Sequence, residues 1–344
     1  MKIRALTFML GSRFMSPDRI ARIVLITKSL VSESRYRLIS TRIALPPVDG
    51  RDLSESCKIA IQLSRMVDYI SIPVEGSVDA ERVSECMKAV SNMFISVVGD
   101  VEGYINLVKC IVDKLGVGGA ARVSLTINGP IATPYFPSAA AIPDVDGIMI
   151  ALRYADDLEG LIESRRVEVD KLRKLFEGVY RLYTTVSAEM KLKPLGIDYS
   201  LSPWMDESVA KVIEKLLGRR FGALGTANAI RTLNDVIATA SKGLEPAGFN
   251  EVMLPYAEDS RLMELGVSGD LTAYMLALLA PSCVAGVDMI PVPRDMFDDY
   301  VYECYSLLRS KMRPSGIRVL PVKAKPGETI ELERFGTIPV PMIE

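Results

Sequence analysis

Short apolar runs rich in strand-forming residues alternate with amphipathic helical patterns along most of the chain. The runs include "IRALTFML" (3–10), "RLISTRIAL" (37–45), "DYISIPV" (68–74), "NMFISVVG" (92–99) and "ARVSLTIN" (121–128). Their apolar residues point to both faces, which is typical of parallel strands covered by helices. At least eight such runs occur. The pattern therefore predicts an α/β fold, either a single barrel or a large doubly wound sheet.

Three segments sharpen this prediction. Residues 160–193 are apolar at helical spacing and are expected to form the longest helix, whereas "EVMLPY" (251–256) is expected to form a short strand. The Pro-rich segment 130–143 is too irregular for either element, and a loop of this length is usually functional or mobile. No low-complexity linker interrupts the 344 residues, so we expect one domain over residues 1–344.

The composition argues against several classes of protein. A formal net charge of −2 gives no basic surface for nucleic acid, and the absence of an 18-residue apolar run argues against a membrane protein. The apolar segment within "MKIRALTFMLGSRF" is too short for a signal peptide and is interpreted as the first strand, so we expect a cytoplasmic protein. A hydrophobic content of 49% predicts a large core.

Histidine does not occur in the sequence. Its absence removes the commonest general base, the usual zinc ligand and every histidine-containing triad. Glutamine occurs once, at Gln62, and charged residues are abundant, with 25 Arg and 16 Lys, so we expect a thermophilic source. The five cysteines form no C-x-x-C pair, which leaves buried thiols as the default and one or two disulfides as the thermophile's alternative.

Acidic and hydroxyl side chains occur at the ends of three apolar runs. Asp198 and Ser200 lie in "GIDYSLSP", Glu258 and Asp259 in "LPYAEDSRL", and Asp288 in "CVAGVDMIPVP". Polar residues at the carboxyl ends of parallel strands line the ligand crevice of α/β folds, so these residues are expected to meet. An unpaired carboxylate inside an apolar strand is costly, and Asp288 therefore needs a partner or a ligand.

Each of these positions also has a structural interpretation. Asp198 and Asp288 could simply accept backbone N–H bonds at strand ends. Glu258 and Asp259 begin a helix, where the dipole favours acidic residues. Ser208 is interpreted as a helix cap or first-turn residue, not as a nucleophile.

Two Gly-Thr pairs add candidate contacts to an anion. Gly225 and Thr226 precede a helix, where free N–H groups and a hydroxyl could meet a carboxylate or phosphate, although helix capping explains them equally well. Gly336 and Thr337 lie near the C-terminus, where the alternative is a turn that closes the tail.

The ordered motifs "GIDYSLSP", "GTANAIRTLND", "LPYAED", "CVAGVDMIPVP" and "FGTIPVP" resemble those of a conserved uncharacterised family, a domain of unknown function with a pyruvate formate-lyase-like α/β barrel. The match is strongest over residues 194–344. The resemblance implies a ten-stranded barrel of two parallel five-stranded halves packed antiparallel, and a homodimer. It supplies no reaction, and no glycyl-radical chemistry is expected.

Two hypotheses of function stay open. In the first, an enzyme acts on a small polar metabolite in the barrel mouth, with Asp198, Glu258 and Asp288 as acid/base groups or as ligands of a divalent ion. Oxygen ligands would favour Mg²⁺, Mn²⁺ or Ca²⁺. The substrate would then contact the side chains or backbone of Ser200, Gly225, Thr226, Asp259, Gly336 and Thr337. In the second, a non-catalytic regulatory protein uses the same pocket to sense an amino acid or organic acid.

Overall fold

The computed structural model describes residues 1–11, 16–283 and 286–344. Residue 285, the first of the predicted strand 285–292, lies outside the described residues. The strands within the described ranges are β1 Lys2–Met9, β2 Thr41–Ala44, β3 Val48–Asp49, β4 Tyr69–Glu75, β5 Met93–Val98, β6 Val123–Ile127, β7 Gly147–Arg153, β8 Ile162–Glu163, β9 Arg166–Val167, β10 Lys193–Asp198, β11 Val287–Pro293, β12 Ser315–Val322, β13 Thr329–Glu331 and β14 Thr337–Pro339.

Helices connect most of these strands. They are α1 Pro17–Ser32, α2 Ser54–Leu63, α3 Ala80–Ala89, α4 Val101–Leu115, α5 Val117–Ala120, α6 Ala155–Gly160, α7 Val169–Met190, α8 Val209–Leu217, α9 Thr226–Ser241, α10 Ser260–Val267, α11 Ala273–Leu279 and α12 Phe297–Arg309. Short 3₁₀ turns cover Tyr256–Glu258, Ala280–Ser282 and Glu333–Phe335. No helix in these described ranges is long and apolar enough to cross a membrane.

Ten strands form one mixed, mostly parallel sheet. Its order is β10-β7-β1-β2-β4-β5-β6-β12-β11, and β3 also pairs with β4. Neighbours are parallel except at two junctions, β7 with β1 and β6 with β12. The main hydrophobic core lies where helices pack on the sheet, and β2, β6 and β12 are buried along their whole length. The prediction of an α/β fold with helix-covered strands is confirmed at this level.

The segment 246–255 lies between the two outer strands of the sheet. It makes single parallel bridges to the β10 side, at Ile197–Pro246 and Leu201–Val252, and one to β11, at Pro255–Asp288. The sequence predicted a strand over 251–256, but the segment is irregular and ends in a 3₁₀ turn. Pro255 has no N–H to donate, which shortens any ladder here.

The longest helix, α7, begins later than the sequence predicts. A two-stranded hairpin, β8 with β9, occupies its expected first turns. Ser164 and Arg165 form the turn with φ values of 48° and 60°. This left-handed pair matches the tight turns that join two antiparallel strands and cannot continue a helix. Other predicted starts are confirmed, because Ser208 caps α8 by accepting from the Lys211 N–H.

One disulfide joins Cys57 of α2 to Cys86 of α3, with the two Cα atoms 5.9 Å apart. Cys110, Cys283 and Cys304 are free thiols. The sequence did not decide between buried thiols and disulfides. The structure contains one disulfide and three free thiols.

Candidate functional site

A cavity of about 720 Å³, including the space at its mouth, opens on one face of the sheet. Its charged lining residues are Arg4, Arg42, Glu258, Asp288, Arg318 and Arg334. Strands β1, β2, β4, β5 and β6 line the cavity through residues in their amino-terminal halves. Asp288 of β11 and Arg318 of β12, beyond the antiparallel junction of β6 with β12, also lie in the amino-terminal halves of their strands. The sequence had predicted a site at the carboxyl ends of strands.

A chain of ion pairs forms one wall of the cavity. The Arg318 guanidinium donates to both Asp288 carboxylate oxygens, at 2.6 and 2.9 Å, and to Glu258 at 3.0 Å. The other Glu258 oxygen accepts from Arg4 at 2.5 Å. Glu258 and Arg318 are buried. Sequence reasoning placed Glu258 and Asp288 in one site, and these contacts bring them to the same guanidinium.

The two carboxyl groups on this wall have opposite pKa shifts. Burial would raise the pKa of Glu258, but the charges of Arg4, Arg318 and Arg334 bring it below its ordinary value. Burial raises the pKa of Asp288, and its contacts with Arg318 only partly oppose this. Environments that separate two carboxyl pKa values in this way are typical of acid/base sites.

Arg42 is a buried cation without a counter-charge. Its Nε donates to Ser40 Oγ at 3.0 Å and one terminal nitrogen donates to the Pro134 carbonyl at 3.2 Å. The guanidinium lies over the rings of Tyr69 and Phe136, at 5.5 and 5.1 Å from their centroids. Among the described residues, no carboxylate forms an ion pair with it. Burial, followed by the charge of Arg4, lowers the pKa of Arg42 to about 9.

Arg334 reaches the mouth of the cavity from the C-terminal hairpin formed by β13 and β14. Its guanidinium carbon lies 5.1 Å from the Tyr69 ring centroid and 5.8 Å from that of Trp204. It also donates to the Tyr69 hydroxyl. Phe335 packs on Trp204 with 5.7 Å between ring centroids. Aromatic rings thus hold this guanidinium at the cavity mouth.

The Pro-rich segment crosses the same face of the sheet. The Ser71 hydroxyl contacts the carbonyls of Pro137 and Ala139 at 2.9 and 3.0 Å, and Ser124 pairs with Ser138 at 3.2 Å. Tyr135, Phe136, Pro137 and Ser138 line the cavity. The sequence left this segment as functional or mobile, and the structure places four of its residues in the lining of the cavity.

Asp198 and Ser200 are buried and are not among the described residues that line the cavity. The Asp198 carboxylate accepts bonds from the hydroxyls of Thr133, at 2.8 Å, and Ser200, at 2.6 Å. It also accepts from the backbone N–H groups of Ser200, Phe249 and Asn250. Asp198 therefore fixes the position of Phe249, which lines the cavity.

Asp259 points away from the cavity, towards two helix starts. Its carboxylate accepts from the Ser208 hydroxyl at 2.6 Å and from four backbone N–H groups, those of Val209, Ala210, Arg261 and Leu262. Such bonds satisfy the free donors at the starts of α8 and α10. The contacts give Asp259 a structural position, beside Glu258 in sequence but not in the site.

The two Gly-Thr pairs are not brought together at the cavity. The Thr226 hydroxyl donates to the Ala223 carbonyl at 2.7 Å and accepts from the Gly222 N–H at 3.0 Å, in the turn before α9, and Gly225 precedes it with φ 103°. The hydroxyl does not cap a free N–H group of the helix. Gly336 and Thr337 lie in the C-terminal hairpin next to Arg334, where Thr337 contacts Glu331 at 2.6 Å. No group of three or more potential metal-ligating side chains occurs among the described residues.

Comparison with known proteins places the chain in a family. The family model described as Uncharacterised ACR (DUF711) matches residues 105–333, which is more than half of the chain. The chain belongs to this family. Neither that description nor the names of the relatives below states a reaction.

The chain is similar to proteins of thermophilic archaea, each named UPF0210 protein. The Pyrobaculum arsenaticum protein is 25% identical, with 89% of this chain and 78% of that protein aligned. The Pyrobaculum aerophilum protein is 24% identical, covering 91% of this chain and 83% of its own length. The Sulfurisphaera tokodaii protein is 26% identical, and the chain spans only 56% of that protein's length.

Sequence reasoning missed the four arginines of the cavity. Three of them interrupt apolar strands: Arg4 in "IRALTFML", Arg42 in "TRIAL" and Arg318 in "GIRVLPV". A charge inside an apolar strand needs a partner. This is true of the three arginines as it is of Asp288. Arg334 carried no comparable signal, because it lies in an exposed turn.

Proposed function

We propose that the arginine-lined cavity binds a small organic anion. The observation that carries this proposal is Arg42, a residue that is 9% exposed and whose guanidinium has no carboxylate partner among the described residues. A buried cation without a counter-charge is unfavourable. An anionic ligand would supply the missing partner and would recover that cost on binding.

The charges of the lining support an anion over a cation. Four arginines face two carboxylates, Glu258 and Asp288, and both carboxylates are already engaged by Arg4 or Arg318. The resulting excess of positive charge disfavours a divalent metal ion at this place. Arginine also matches the planar carboxylate group with two parallel hydrogen bonds.

The remaining lining supports an organic ligand of small size. Phe94, Phe136, Phe249, Met253 and Ile317 provide apolar surface beside the charged groups. A cavity that combines apolar walls with a few converging polar groups is the usual form of a small-molecule site.

Acid/base chemistry on the bound anion is the second part of the proposal. The opposite pKa shifts of Glu258 and Asp288 favour it over the regulatory alternative. Asp288 and Glu258, both in contact with Arg318, would be the groups that exchange a proton with the bound anion. Turnover of a bound anion by the wild-type protein and its loss in Asp288→Asn would support an enzyme, whereas binding without turnover would support a sensor.

The wider architecture belongs to the same proposal. We infer that the segment 246–255 joins β10 to β11 and so closes the sheet into a barrel of one domain. The single bridges at Pro246, Val252 and Pro255 support this inference. A homodimer and a cytoplasmic location complete the proposal.

A thermal-shift panel tests the binding proposal. Protein is heated with organic anions, amines and divalent metal ions, and the wild type is compared with Arg42→Met and with Arg19→Met, a control at an exposed position on α1. Ligands that bind only the folded state raise the melting temperature. The proposal predicts shifts with anions in the wild type and Arg19→Met but not in Arg42→Met. Equal shifts in all three proteins would contradict it.

A further inference from the structure

Two uncompensated cations of the cavity share one aromatic ring. The guanidinium carbons of Arg42 and Arg334 lie 5.5 and 5.1 Å from the Tyr69 ring centroid. The two carbons are therefore no farther apart than the sum of these distances. Arg42 and Tyr69 are register partners on β2 and β4, so the pairing of these two strands places Arg42 beside the Tyr69 ring.

These two arginines differ from the other two in the cavity. Arg4 and Arg318 form ion pairs with Glu258, and Arg318 also pairs with Asp288. Within the described part of the chain, neither Arg42 nor Arg334 forms an ion pair with a carboxylate. The excess positive charge of the site is therefore concentrated around Tyr69.

Arg42 and Arg334 also lie at different depths. Arg42 is buried and comes from the sheet, whereas Arg334 is exposed and comes from the C-terminal hairpin. A single compact anion would have to reach both guanidinium groups at once. Two charged groups on one short molecule would reach them separately, one inside the cavity and one at its mouth.

We infer that the ligand is a dicarboxylate whose inner carboxylate binds Arg42 and whose outer carboxylate binds Arg334. This inference rests on the proposed function and specifies its ligand class. Each arginine presents a planar pair of donors to one carboxylate. The hairpin residue Arg334 thereby becomes a specificity residue, because it distinguishes dicarboxylates from monocarboxylates. Trp204, 5.8 Å from Arg334 and the only tryptophan in the sequence, reports on the outer position.

Matched acids test the inference. Dissociation constants are measured by calorimetry, with Trp204 fluorescence in parallel, for pentanoate against glutarate, for butyrate against succinate, and for inorganic phosphate. The proteins are the wild type, Arg334→Gln and Arg309→Gln. Arg309 is a matched control, because it is exposed and stacks on a tyrosine, with its guanidinium carbon 5.6 Å from the Tyr305 centroid.

The inference predicts that the wild type binds at least one dicarboxylate about tenfold more tightly than its monocarboxylate partner, the gain of one charge-assisted contact. Arg334→Gln should remove this preference and leave monocarboxylate binding unchanged, while Arg309→Gln behaves as the wild type. Equal binding of mono- and dicarboxylates would overturn the inference but not the proposed function. Phosphate binding as tight as that of the dicarboxylates, with the same dependence on Arg334, would overturn the dicarboxylate assignment. Absence of all anion binding would overturn the proposed function itself.

Discussion

Asp288 and Arg318 are register partners on the neighbouring parallel strands β11 and β12, and the guanidinium donates to both oxygens of the carboxylate, at 2.6 and 2.9 Å. Arg318 also donates to Glu258, which in turn accepts from Arg4 on β1. The pairs therefore tie both sides of the cavity together through side chains far apart in sequence. They also neutralise Arg4 and Arg318, which leaves Arg42 and Arg334 for a ligand.

Replacement of Glu258 by glutamine should destabilise the protein in a pH-dependent way. The folded-state pKa of Glu258 lies below its ordinary value of 4.5. Its stabilisation is therefore present above pH 4.5 and is lost as the pH falls through the folded-state pKa. We expect Glu258→Gln to lower the free energy of unfolding by about 2–5 kcal/mol at pH 7, since Arg4 loses its carboxylate partner and buried Arg318 loses one of two, and by less near pH 3.

Chemical denaturation at several pH values measures this difference. Glu264→Gln is the control, because Glu264 pairs with Arg261 at an exposed position. A Glu258→Gln effect that is constant with pH, or that increases in acid, would contradict the assigned pKa shift.

Arg42→Met should stabilise the ligand-free protein. The substitution removes a buried, uncompensated charge and retains apolar contact with Tyr69 and Phe136, so the free energy of unfolding should rise by about 1–3 kcal/mol. The same substitution at Arg318 should have the opposite sign, because it leaves the carboxylates of Glu258 and Asp288 without their shared partner. Urea or guanidinium denaturation compares the two variants. Destabilisation of similar size in both would show that Arg42 is structural.

Asp259→Ala should be among the more damaging single substitutions outside the cavity. It leaves the Ser208 hydroxyl and four backbone donors without an acceptor at the starts of α8 and α10. We expect a loss of about 3–5 kcal/mol of unfolding free energy. Ser208→Ala removes one cap and one of the five bonds to Asp259, and should cost about 0.5–2 kcal/mol. If exposed Asp206→Ala costs as much as Asp259→Ala, this assignment is wrong.

The disulfide should contribute to stability without taking part in ligand binding. Cys57 and Cys86 are 29 residues apart in sequence, and closing a loop of this size stabilises by about 3.6 kcal/mol in the chain-entropy account. Cys86→Ser should lower the melting temperature, whereas Cys110→Ser, at a free thiol, should not. Identical melting of both variants and the wild type would mean that the bond does not form in solution.

The order of strands and helices could be predicted from the sequence because each element carries its own local pattern. The parallel strands show apolar residues on both faces, and Ser16 and Ser208 mark helix starts by side-chain bonds to nearby N–H groups. The predictions of a helix over the hairpin β8–β9 and of a strand over 251–256 are wrong. In both, turn geometry or a proline overrides an apolar pattern that is equally compatible with a helix or a strand.

The candidate site was predictable only in part. Glu258 and Asp288 could be singled out, because a carboxylate beside an apolar run requires a partner. That the partner is Arg318, and that Glu258 also contacts Arg4, depends on strand order and register across the whole chain. Asp198 and Asp259 also lie beside apolar runs, as Glu258 and Asp288 do. Their carboxylates, however, accept hydrogen bonds from backbone N–H groups. Local sequence cannot distinguish these two outcomes.

A crystal structure of the protein with glutarate or succinate tests the central claim most directly, because it shows where an anion binds. The account predicts density for one ligand in the cavity, with one carboxylate on Arg42 and the other on Arg334. A cavity that stays empty while the acid binds elsewhere, or a ligand that contacts neither arginine, would contradict it.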